Sequence, residues 1–109
     1  MKLEGAFRNM KVLIHSLPYK EDSSDGKRVF PFRDFGFEFI TELHNQLGDF
    51  ESIKKTLHIS GSKTVFVKIR EYPPIQVTIS GDIGKNSEEA DSNIADSLID
   101  AFRSENIGP

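Results

Sequence analysis

Along the first part of the chain apolar positions recur every second residue, and further on they recur every third or fourth. Met10, Val12 and Ile14 alternate with Lys11, Leu13 and His15, which predicts a strand within Phe7 to Ser16. Arg28-Val29-Phe30-Pro31-Phe32 predicts a short second strand. Pro31 has no amide to give to a ladder, so that strand belongs at an edge. Between the two, Pro18 and the run Lys20-Glu21-Asp22-Ser23-Ser24-Asp25-Gly26-Lys27 read as a solvated, flexible loop over residues 18–27. A connection of that length makes the pair a loosely specified hairpin.

The next segment carries both periods. Phe35, Phe37 and Phe39 alternate as in a strand, yet Phe35, Phe39, Ile40, Leu43 and Leu47 fall on one helical stripe. The helical pattern is longer and better bounded, with Asp34 as its N-cap and Gly48 just past its end, so it predicts a helix from Phe35 to Leu47. Gly61-Ser62 suits a type II′ turn, since Gly takes the first central position of a two-residue loop. Folding there pairs Ile53–Ser60 with Lys63–Glu71, with Ser60 opposite Lys63 and Leu57 opposite Phe66. Ile75, Val77 and Ile79 alternate with Gln76, Thr78 and Ser80 in a further strand, reached through Tyr72-Pro73-Pro74. After a turn at residues 81–86, Ser87 caps a helix with Glu88 and Glu89 in its first turn, where the dipole favours acids. The apolar stripe of that helix is Ala90, Ile94, Leu98, Ala101 and Phe102.

The order is therefore β-β-α-β-β-β-α. Each helix has one apolar stripe and must cover a sheet face, which predicts a two-layer α+β domain spanning residues 1–109, with an antiparallel sheet of about five strands. That element order is similar to the longin, roadblock and profilin-like folds; the likeness is one of order alone, with no residue motif behind it.

Composition narrows the chemistry. The 109 residues are 37% hydrophobic and 28% charged, the balance of an ordinary globular domain with enough core to need no staple. There is no Cys, which removes disulfides, thiolate metal sites and thiol nucleophiles. No signal-peptide core is visible, and the longest apolar run is Val12-Leu13-Ile14, so neither export nor a membrane span is expected, and a cytoplasmic setting is.

Motif-like stretches fall short of their chemistry. Gly84-Lys85-Asn86-Ser87 lacks the upstream Gly and the hydroxyl directly after Lys that a phosphate-binding loop uses. Asp22-Ser23-Ser24-Asp25-Gly26 puts Phe32 where a calcium loop needs its bidentate Glu. Glu38, Glu42 and His44 lie near one another on the predicted helix, but without metal-ligand spacing among the three histidines, and solvation accounts for them. No cofactor, metal or catalytic constellation is therefore expected. Arg33-Asp34-Phe35-Gly36-Phe37-Glu38-Phe39-Ile40 resembles the aromatic strand of RNA-recognition and cold-shock domains, which implies base stacking on Phe35, Phe37 and Phe39. Asp34 and Glu38 depart from that pattern and put negative charge beside the phosphate path.

Charge is segregated although the net charge is only −3. Residues 52–86 hold six basic and two acidic side chains, whereas residues 87–109 hold one and six. In the predicted hairpin Lys55 opposes Lys68 and shares a face with Arg70, and like charges so placed call for an acidic partner. That partner is either an acid of the last helix, such as Asp96 or Asp100, or another protein. The resulting expectation is a non-enzymatic interaction domain — an adaptor, inhibitor or immunity-type protein — that binds a protein partner through Lys55, Phe66, Lys68 and Arg70 and dimerises by a sheet edge. The alternative is a single-stranded nucleic-acid binder using Phe35, Phe37 and Phe39.

Overall fold

The computed structural model describes residues 2–17, 19–22, 26–29 and 32–105. It is α+β, with three helices and a four-stranded antiparallel sheet. In chain order the elements are β1 (Leu3–Phe7), β2 (Met10–Ile14), β3 (Tyr19–Asp22), β4 (Gly26–Val29), α1 (Phe32–Leu47), α2 (Phe50–Ser60), β5 (Ser62–Val67), β6 (Ile75–Gly81) and α3 (Ser87–Glu105). The sheet order is β1-β2-β6-β5, and among the described residues β3 and β4 form a separate two-stranded ribbon.

Several expectations are corrected here. The strand read within Phe7 to Ser16 is the second arm of a hairpin whose first arm is β1, with the chain reversing at Arg8-Asn9. Arg8 holds φ 59°, a left-handed conformation that a Gly usually supplies, so no glycine marks the turn. The strand read at Arg28–Phe32 begins earlier, as β4, and pairs with β3, inside the stretch read as a loop, instead of with the first strand. Phe32 opens α1, which leaves Asp34 in the first turn and not at the N-cap; Pro31 lies outside the described residues. The five-stranded order, and the likeness drawn from it, give way to four strands and a separate ribbon.

The largest correction is at Gly61. Phe50–Ser60 is a helix, and Gly61 is its C-cap, at φ 83°, with its amide donating to the Leu57 carbonyl. Asp49 closes the other end by accepting the Ser52 amide at 2.7 Å. Glycine at positive φ serves a hairpin and a helix end equally well. What decides here is the burial of Ile53 and Leu57, one helical turn apart. The hairpin that does form joins β5 to β6 through residues 68–74, with Val67 opposite Ile75.

One face of the sheet is the core. Leu3, Met10, Val12, Ile14, Val65, Val67, Ile75, Val77 and Ile79 are buried there, together with Phe39, Leu43 and Leu47 of α1, Ile53 and Leu57 of α2, and the α3 stripe. That stripe is as read: Ala90, Ile94, Leu98, Ala101 and Phe102 are all buried. The cap of α3 is Asn86, one residue before Ser87, because its Oδ1 accepts the Glu89 amide at 2.8 Å. Phe32 stacks on Phe102 with centroids 4.0 Å apart, and Phe39 meets Phe102 edge-on, tying the start of α1 to the end of α3. Where α3 crosses β1, Gly5 leaves room for the helix backbone.

Candidate interaction surface

Strand alternation that buries one set of side chains presents the other set on the opposite face. That second face carries Glu4 and Ala6 on β1, Lys11 and Leu13 on β2 with His15 just beyond, Gln76, Thr78 and Ser80 on β6, and Ser62, Thr64 and Phe66 on β5. None of these side chains is buried. A hydrogen-bonded row crosses it: His15 Nε2 lies 2.7 Å from Thr78 Oγ1, which lies 2.6 Å from Thr64 Oγ1. The row holds three side chains in place over three strands. Two residues along β5 from Thr64, the apolar ring of Phe66 stands 56% exposed on the same face.

The two sheet edges differ. The amide of His15 donates to Gln76, which fixes the phase of the antiparallel ladder. Alternation then turns the main-chain groups of Glu4 and Ala6 outward on β1, and those of Thr64 and Phe66 outward on β5. On β1 the outward amide of Ala6 donates to Asp100 Oδ2 of α3 at 3.0 Å. On β5, among the described residues, no hydrogen bond reaches the outward amide or carbonyl of Thr64 or Phe66.

The predicted cationic site is not assembled. Lys55 lies exposed on α2, so it does not face Lys68 across a ladder. Lys68 follows β5, and its ammonium donates to the carbonyls of Arg70 and Tyr72, tying the connection to β6 together. Arg70 pairs with Glu38 of α1 at 3.3 Å and lies 5.1 Å from the Phe35 ring centroid. The acidic partner of Arg70 is thus internal, as one of the two explanations had it, though it comes from α1 and not from α3. Of the four residues, Phe66 alone stands on the open sheet face.

Nor does the aromatic stretch form a stacking platform. Phe35, Phe37 and Phe39 lie on α1, where alternate residues point to different sides of the helix. Phe39 is fully buried, Phe35 packs against Tyr72, and Phe37 is 88% exposed by itself. The helical carboxylates have local duties: Glu38 holds Arg70, and Glu42 accepts from Asn45 and Gln46. His44 Nε2 lies 3.7 Å from Asp91 Oδ1 of α3. Among the described residues no group of three or more His, Asp or Glu side chains is placed to hold a metal ion.

Residues the sequence reading passed over include His15, Thr78 and Thr64 as a row. Their strand alternation was visible, but the register joining them depends on β6 lying between β2 and β5, which no local pattern shows. The chain matches no protein-family model, no curated protein and no solved structure.

Proposed function

We propose that this chain is a small, non-enzymatic protein-interaction domain that works through its antiparallel sheet. Phe66 carries the reading: a large apolar side chain stands mostly exposed on an unburied sheet face, beside an edge with unused main-chain groups. Aromatic residues in such settings are the usual anchors of an interface. The surrounding Ser62, Thr64, Gln76 and Thr78 supply a polar rim. Two polar side chains that catalysis could recruit have structural duties instead: Ser97 Oγ donates to the Asn93 carbonyl, and His15 is bound into the threonine row. The cysteine-free composition supports a cytoplasmic setting. Among the described residues no helix is long and apolar enough to cross a membrane.

The test compares Phe66→Asp with Lys55→Glu in affinity capture from source lysate. The expected outcome is a specific protein held by the parent and by Lys55→Glu but lost from Phe66→Asp, with all three equally folded. Identical capture by all three defeats the assignment.

A further inference from the structure

The outward amides and carbonyls of Thr64 and Phe66 form a short unpaired ladder, and such an edge binds an extended strand through its main chain. The chemistry of β5 decides which strand. Its side chains on the open face are Ser62, Thr64 and Phe66, all uncharged. Its one charged side chain, Lys63, is turned away to the Leu47 carbonyl at 2.7 Å, and Lys68 beyond it is held by its own connection. A Lys on the outer side is the common means of keeping copies of an edge strand apart, and here that means is spent on internal bonds.

We infer that a second copy of this chain fills the edge. The two β5 strands pair antiparallel about a two-fold axis at Val65, joining two four-stranded sheets into one of eight. The inference rests on the sheet-interaction reading and names its partner. The outward residues allow two neighbouring registers, and the side chains choose between them. Setting Thr64 opposite Phe66 of the second copy uses every outward group between them, each pair exchanging both main-chain bonds. It also places each Phe66 ring beside a β-branched Thr64, a favourable cross-strand pair. A shift by one pairing step sets Thr64 on itself and Phe66 opposite Ser62, whose main-chain groups are also outward; it keeps the main-chain bonds but loses the pairing of each ring with Thr64.

The chain has no Cys, so Val65→Cys gives one thiol per copy. In this register the two sit at a non-hydrogen-bonded pair with Cα atoms about 4.5 Å apart, within disulfide range. Thr64→Pro removes one outward amide while leaving the β6 ladder intact, because that amide points away from β6. Light scattering on the parent should give twice the chain mass, oxidised Val65→Cys should run as a linked pair, and Thr64→Pro should be a folded single chain. A parent that stays a single chain at several hundred micromolar, or a Thr64→Pro variant that remains paired, overturns the inference. Should the parent stay single while Phe66→Asp still loses a captured protein, the sheet reading stands and the occupant of the edge is a foreign chain. Pairing without any captured protein supports the second copy alone.

Discussion

A methyl group added at Gly5 would collide with the Ser97 carbonyl oxygen and the Ala101 amide nitrogen, and would come within 2.8 Å of the Ala101 methyl. Two of those three neighbours are helix backbone, which cannot swing aside. Gly5→Ala is therefore expected to cost about 3 kcal/mol, the upper end of overpacking penalties. Urea unfolding should show the midpoint falling with the slope unchanged. The same contact explains why β1 was hidden in the sequence: Leu3, Gly5 and Phe7 alternate with Glu4 and Ala6, but the middle core-facing position is a glycine that adds no hydrophobic signal. Arg8 compounds the concealment by taking a turn conformation that residues of its type rarely adopt.

At the scale of elements, the strongly periodic segments were legible and the short ambiguous ones were not. The α3 stripe and the inward residues of β6 are buried as their spacing predicts, and of the α1 stripe Phe39, Leu43 and Leu47 are buried while Phe35 and Ile40 are partly so. The segment 50–60 has only Phe50, Ile53 and Leu57 as a helical stripe, and Ile59 at 70% exposure blurs it toward a strand. Its clearest helix signal is Asp49 at the N-cap, and the complete hairpin that Gly61-Ser62 offers competes with it. Lys55 tests the outcome directly, since it is exposed and in the middle of α2. Lys55→Pro should cost about 3 kcal/mol through the helix backbone, whereas Lys55→Ala should be nearly neutral. Equal stability of the two, measured by denaturant melts, would contradict a helix there. The site followed the same logic: the cationic triad rested on the false hairpin, while Phe66 depended only on strand parity within β5 and so kept its exposed place.

For the whole molecule, the long-range arrangement decides what local pattern leaves open. β6 closes the sheet between β2 and β5, and this one placement creates both the His15–Thr78–Thr64 row and the bare outer side of β5. Arg70 and Lys68, the most visible charges in the sequence, are absorbed into anchoring the β5–β6 connection to α1 and to itself. What faces outward is then weakly charged and partly apolar, the reverse of the cationic patch that composition alone suggests.

Asp100 has a consequence for growth. Joined at β5, two molecules would leave a β1 strand at either extremity, and a third could add there and continue into a fibre. The carboxylate on the Ala6 amide occupies that extremity and carries a negative charge that an arriving copy would also bear, so such an assembly would stop at a closed pair. Asp100→Ala should therefore unstopper the ends. Turbidity and thioflavin fluorescence rising with concentration in that variant, but not in one that also carries Thr64→Pro, would be its signature.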